Sequence, residues 1–143
     1  MSTATVVALH LSHKGGEPLT RVERARAVEN HGIEGDRHSL ANNRRAVLFM
    51  EQEVLDLLGL GPGDVREQVT VRGLGLHKLV FGSRLRIGDA VLEVAGPCAP
   101  CELMDALRPG LRRELEGRRG RFVRVVQAGA FAIGDPIVVE PPA

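Results

Sequence analysis

No apolar run in this chain is longer than a β-strand needs, and several stop at a glycine, as at Gly73, Gly82 and Gly88. Thr5 to Leu11, Arg45 to Met50, Gln68 to Arg72, Leu76 to Phe81, Arg84 to Ile87, Ala90 to Val94 and Arg121 to Gln127 are strand-length and rich in Val, Leu, Ile or Phe. A chain patterned in this way builds from short strands and tight turns. Seven or eight such strands with two or three short helices are most economically arranged as a mainly β, closed or nearly closed β-barrel, because closure leaves no exposed edge. The tripeptide Ile87-Gly88-Asp89 returns as Ile133-Gly134-Asp135, each time between strand-like runs, which predicts two hairpins with one turn solution. Phe122 fits poorly with Val125 in strict alternation, so a bulge is expected in that strand.

Three helical patterns interrupt the strands. Glu51 to Gly59 places Val54, Leu55, Leu57 and Leu58 inward, with Gly59 as the cap. Cys101 to Leu107 gives one or two turns, and Pro109 opens a further helix reaching about Glu116, with Leu111 and Leu115 on one face. Pro18 to Val28 suits an edge strand or, over Glu23 to Glu29, a short helix. Arg112, Arg113, Arg118 and Arg119 read as a solvated basic face paired with Glu114 and Glu116.

Residues 1–143 suit one compact domain with a real core, and 43% hydrophobic with 26% charged residues is far from the signature of disorder. No run is long enough to span a membrane, and the N-terminus lacks a basic-then-apolar leader, so a cytoplasmic location without membrane attachment is expected. Nineteen basic against eighteen acidic residues leave a net charge of +1, too little to attract nucleic acid. The only aromatics are Phe49, Phe81, Phe122 and Phe131, which removes the stacking platforms of single-strand binders. Only Lys14 and Lys78 among the cations are lysine; the rest are arginine, whose planar fork suits phosphate and carboxylate.

Both cysteines fall in Gly96-Pro97-Cys98-Ala99-Pro100-Cys101, a turn that hands over to a helix. A helix N-terminus favours an anion by up to about 1 kcal/mol, which is less than the ~1.4 kcal/mol that moves a pKa by one, so a reactive thiolate here also needs a cation. Four readings are compatible with Cys98-x-x-Cys101: half of a zinc site, a dithiol redox couple, one reactive cysteine at Cys101 with Cys98 as its resolving partner, or two inert buried thiols. His10, His13, His31, His38 and His77 show no ligand-type spacing that would complete a zinc site. A second polar segment, His31-Gly32-Ile33-Glu34-Gly35-Asp36-Arg37-His38, combines a bracing carboxylate, a guanidinium fork and a titratable imidazole on a loop that two glycines let turn closely.

The order of these motifs resembles the MOSC domain family, named for the C-terminal domain of molybdenum cofactor sulfurase. Gly32 to His38 is similar to the family's Gly-x-x-Gly-Asp-x-His, Arg66-Glu67-Gln68-Val69-Thr70-Val71-Arg72-Gly73 to its Arg-Glu-Asn-x-Thr-x-x-Gly, and Pro100-Cys101 to its Pro-Cys. Gly88-Asp89 and Gly134-Asp135 fall where the family has Gly-Asp turns, so the resemblance runs from about Val6 to Val139. It implies a β-barrel in which Cys101 ligates molybdenum in a pterin cofactor or carries sulfur as a persulfide, with Cys98 beside it. It also implies that Arg37, Arg66 and Arg72 hold the cofactor's phosphate while His38 and Gln68 meet its polar edges. Three functions are implied as expectations: a molybdenum-cofactor oxidoreductase acting on N-hydroxylated small molecules, a sulfur carrier, and a pterin-binding module without turnover. Their protein partners would be an electron-transfer protein or a cysteine desulfurase. Two positions depart from the pattern: Gln68 stands where asparagine is usual, and Cys98 where arginine is common.

Overall fold

A computed structural model of the chain describes residues 3–98 and 102–143, with Glu102 described by its backbone alone. Cys101, the expected metal ligand and nucleophile, lies outside the described residues, as does the first residue of the helix expected from Cys101 to Leu107.

Strand β5 (Val47–Glu51) organises the fold. It pairs in parallel with β6 (Val69–Arg72) on one side and antiparallel with β9 (Arg121–Gln127) on the other. Val47 to Met50 are all buried, as an uninterrupted apolar run is when both faces of a strand are covered. Val47 and Phe49 enter the main core, whereas Met50 enters a second, smaller cluster with Leu55, Val65, Met104, Leu111 and Leu115.

From β5 the sheet extends both ways. The remaining strands are β1 (Thr5–Leu11), β2 (Thr20–Val22), β3 (Arg24–Val28), β4 (Gly32–Ile33), β7 (Arg84–Ile87), β8 (Ala90–Pro97), β10 (Gly129–Ala132) and β11 (Ile137–Glu140). Eight of them form one sheet in the order β11-β7-β8-β9-β5-β6-β1-β2, and three form a second, β10-β3-β4. The open segment 18–28 is therefore strand rather than helix. Ala25, Ala27, Ile33 and Phe131 of the smaller sheet pack into the main core. In β1, a register shift between Val6 and Ala8 turns both Val6 and Leu9 inward, which strict alternation would forbid. The bulge expected in β9 occurs where Val91 pairs with Gln127 but Leu92 with Val125, and β8 shifts again between Val94 and Pro97.

The expected barrel is not closed. The large sheet has β11 and β2 at its ends, and no ladder joins them; the turn before β11 is instead stitched to β1 by the Thr5–Pro136 bridge and three backbone bonds of 2.8–3.0 Å. Strand patterns identify which faces are buried, but partners and closure depend on long-range pairing that alternation does not encode. For the same reason the two Ile-Gly-Asp segments diverge. Gly88-Asp89 closes the β7–β8 hairpin, with Ile87 opposite Ala90, whereas β10 and β11 lie in different sheets and Gly134 N–H donates to Val6 O. Leu76 to Phe81 is not a strand either: Leu76–Lys78 is a single 3₁₀ turn whose Leu76 alone is fully buried.

Helices α1 (Gln52–Leu57), α2 (Glu102–Leu107) and α3 (Leu111–Glu114) cover the outer face of β5. α1 ends as its sequence predicts, Gly59 adopting φ +70° while Gly59 N–H bonds Asp56 O at 3.2 Å and Leu60 N–H bonds Leu55 O at 2.8 Å. Leu57 corrects the inward assignment, since it is 69% exposed. Among the described residues no helix is long and apolar enough to cross a membrane.

Gly120 shows how tightly β5 and the start of β9 meet: at its φ of +118° a methyl group would lie 2.5 Å from the Phe49 carbonyl oxygen. Gly110, at φ +84°, has open space around the same position. Gly120→Ala is therefore expected to cost at least about 3 kcal/mol in urea unfolding, and Gly110→Ala about 1 kcal/mol, because only the first adds a backbone collision to left-handed strain.

Candidate functional site

Asp36 is the hub of the Gly32–His38 loop. Its buried carboxylate accepts hydrogen bonds from Ser12 N–H at 2.8 Å and His38 N–H at 2.9 Å, and its Oδ1 lies 2.9 Å from His38 Nδ1. With Nδ1 held by the carboxylate, Nε2 is the ring nitrogen turned away from Asp36, on an imidazole that is 34% exposed. Arg37 is exposed; its Nε donates to Ser12 Oγ at 3.0 Å and its guanidinium lies over Gly15.

Gln68 is buried and its amide is committed to main chain. Nε2 donates to Ala46 O at 2.8 Å and more weakly to Asp36 Oδ1 at 3.4 Å, and Oε1 accepts from Leu48 N–H at 2.8 Å. The loop, β6 and β5 are thus joined by two side chains. Asn43 extends the network, donating from Nδ2 to His38 O at 2.8 Å and accepting from Arg45 N–H at 3.0 Å.

Cys98 approaches the same region from the other flank of β5. It is half-buried, and its N–H donates to Gly120 O at 3.1 Å. Gly120 in turn packs against Leu48, whose own N–H is held by Gln68. The structure therefore brings Cys98, Gln68 and His38 to two sides of Leu48. Arg66 and Arg72 are placed elsewhere. Arg66, at φ +65°, donates to Glu17 O at 3.2 Å and lines a depression with His10, Pro62 and Asp64, while Arg72 is exposed at the far end of β6 opposite Thr5.

The outer face of β8 and β9 forms a groove of about 350 Å³ that begins at Pro97, immediately before Cys98. Arg44, Arg45 and Arg124 supply its positive charge, Phe81 and Phe122 its apolar walls, and Arg45 lies over the Phe122 ring at 5.4 Å. Arg124 is partly answered by Glu93, 3.1 Å away. Sequence reading named none of these groove residues as ligands. The available signal was Phe122, a large apolar side chain at an outward position of a strand that alternates strictly, with Val123 and Val125 entering the core. Among the described residues no three His, Cys, Asp or Glu side chains gather as a metal cluster. Three guanidinium groups and two phenyl rings give the groove a lining that suits a flat group carrying negative charge.

A family model described as MOSC domain matches residues 28–138. No curated protein matches the chain. Among solved structures, the YuaD protein from Bacillus subtilis is 22% identical with a TM-score of 0.84, covering 99% of this chain and 98% of its own. YiiM from Geobacillus stearothermophilus is 20% identical with a TM-score of 0.76, covering 95% of this chain and 74% of its own. YiiM from Escherichia coli is 19% identical with a TM-score of 0.73, covering 97% and 71%. At these identities the likeness is one of fold.

Two measurements test this geometry. Asp36→Ala leaves several buried donors unanswered and is expected to cost about 3 kcal/mol in urea unfolding, whereas His38→Ala, at a half-exposed position, costs below about 1 kcal/mol. Burial holds the His10 imidazole below its ordinary value of 6.5, with Arg21 pushing the same way and Asp64 opposing. The unfolded chain therefore takes up that proton first, so His10's contribution to stability is complete above 6.5 and is lost as pH falls through that value. His10→Gln should remove this part of the slope when urea midpoints are compared between about pH 5 and about pH 8.

Proposed function

The chain belongs to the MOSC domain family, and from that premise we propose that it binds molybdenum cofactor in the groove that reaches Pro97, next to Cys98, and acts as an oxidoreductase on N-hydroxylated small molecules. The observation that carries this reading is the groove itself, in which three guanidinium groups and two phenyl rings flank a channel that ends one residue before Cys98. A planar, phosphorylated pterin requires this combination of apolar walls and bidentate cations.

Each residue then has a physical task. Arg44, Arg45 and Arg124 would hold the anionic end, and Phe122 would offer a face to the ring. The Cys101 thiolate is the soft donor suited to the metal. Bound, the cofactor supplies a metal centre that exchanges electron pairs with substrate. His38, oriented by Asp36, would move protons at Nε2, since reducing an N–O bond consumes protons as well as electrons. Electrons would arrive from a separate electron-transfer protein, and the work belongs in the cytoplasm.

A second reading has its own support: Cys98 follows Pro97 of the groove lining and stands three residues before Cys101, so a persulfide on Cys101 would have a second sulfur close by in the chain. In that case the chain carries sulfur from a cysteine desulfurase to metal-sulfur assembly.

Metal analysis after anaerobic purification from a molybdenum-replete host separates these readings. Near-stoichiometric molybdenum is expected in wild type and Cys98→Ser, none in Cys101→Ser, and about tenfold less retained in Arg45→Ala or Arg124→Ala. Wild type without molybdenum, under conditions that load a positive control, overturns the cofactor reading. A persulfide mass adduct on Cys101 after incubation with a desulfurase would then favour the carrier. Metal retained without reduction of any N-hydroxylated compound in a reconstituted electron-transfer assay would favour a binding module.

A further inference from the structure

Asparagine tolerates left-handed backbone better than most residues with a side chain, and two asparagines hold such positions here, Asn30 at φ +57° and Asn42 at φ +61°. The main chain ties them together. Asn30 N–H donates to Val125 O at 3.1 Å and Asn42 N–H to Asn30 O at 2.7 Å, so both turns are fixed to β9 at the residue after Arg124. Asn43 braces the same stretch with its side chain, which is spent on His38 O and Arg45 N–H. The side-chain amides of Asn30 and Asn42, by contrast, belong to exposed residues and are engaged by no described residue.

These three asparagines line a hollow of about 200 Å³ whose other walls are Arg44 and Arg124. The same two arginines line the groove that holds Phe81 and Phe122. The two spaces therefore meet at a pair of guanidinium groups, with phenyl rings on one side and amides on the other. Glu93 is the one acid among the described residues lining either space, and it is shared between Arg124 at 3.1 Å and Arg84 at 3.9 Å. Arg44 makes no ion pair with any described residue. The junction thus keeps an excess of positive charge.

Each part of this channel asks for different chemistry. Phenyl faces suit a flat ring, and guanidinium forks suit phosphate oxygens. A primary amide donates and accepts without charge, which matches a hydroxyl group, itself both donor and acceptor. A ligand that ended at its phosphate would leave the two amides to water.

We propose that groove and hollow form one elongated site for an organic phosphodiester or pyrophosphate: a flat ring against Phe122, phosphate between Arg44 and Arg124, and an uncharged, hydroxyl-bearing group beyond it at Asn30 and Asn42. This rests on the reading of the groove as a site for a ring and a phosphate, but it requires neither the metal nor either cysteine. The ligand continues past its phosphate, as a sugar joined through one does. Asn30 and Asn42 then select for that continuation, while the arginines hold whatever phosphate arrives.

The test is equilibrium binding of two probes, ADP and ADP-ribose, to the purified protein by titration calorimetry. ADP carries ring and pyrophosphate and stops there; ADP-ribose adds a sugar and has less negative charge, so charge alone favours ADP. Wild type is expected to bind ADP-ribose about fivefold or more tightly than ADP, the worth of one or two net hydrogen bonds. Asn30→Gly and Asn42→Gly keep the left-handed backbone while deleting the amide, and each should bring the two probes within about twofold of each other with ADP affinity unchanged. A role in the turn alone predicts no effect from glycine, and retained ADP binding reports that the variant is folded. Arg44→Ala and Arg124→Ala should weaken both probes together, by about fivefold or more. Equal affinity of wild type for the two probes, or a preference for ADP-ribose that survives both glycine variants, overturns the proposal and leaves the groove reading standing. Binding of neither probe at about 5 mM overturns it as well, and molybdenum loading of the same protein then decides the groove reading by itself. A preference for ADP-ribose without molybdenum loading sinks the cofactor reading alone.

Discussion

Burial of both faces of β5 is the constraint on which the rest depends. A strand reading Val-Leu-Phe-Met demands cover on two sides, and the fold meets that demand with two different structures: the large and small sheets around Val47 and Phe49, and three short helices over Met50. Its neighbours then become the carriers of chemistry. β6 brings Glu67 and Gln68 to one flank of β5, and the start of β9 brings Arg119 to Arg121, and through Gly120 the backbone of Cys98, to the other.

Several polar side chains that look like ligands in a sequence are occupied by the main chain. Gln68 serves Ala46 O and Leu48 N–H, Asp36 serves Ser12 and His38, and Arg121 serves three carbonyls. This is the usual fate of buried polar groups, since an unanswered donor or acceptor costs about 1–3 kcal/mol. It also bears on the departure from the family's pattern at Gln68. The longer side chain spans from β6 to donor and acceptor positions on and just before β5, so its identity answers to a strand-to-strand distance. Cys98, standing where arginine is common, does not leave the region without cations, because Arg44, Arg45 and Arg124 reach it from other parts of the chain.

How much was legible depends on the range of each interaction. The turn at Gly59, the Gly88-Asp89 hairpin, the inward pair Leu111 and Leu115, and β1 at Thr5–Leu11 depend on neighbours within a few residues, and each stands as its local pattern reads. The repeated Ile-Gly-Asp misled because a turn's sequence does not name the sheets it joins. Leu57 misled because α1 is only six residues long, so its apolar face is narrower than the run of leucines suggests. Arg119 was indistinguishable from Arg118 until the fold buried it to 6% exposure while leaving Arg118 at the surface.

The amino-acid sequence by itself determined that this chain would be mainly β with short helices and that Asp36 would brace its loop, because alternation, glycine placement and two-residue contacts are local properties. Only the tertiary structure decided that the large sheet stays open, that Arg44, Arg45 and Arg124 line one groove while Arg66 and Arg72 stand elsewhere, and that Glu67 and Arg119 are buried. Those outcomes depend on which strands pair across tens of residues. Pairing is settled by the summed burial of whole faces, a quantity no single stretch of sequence carries.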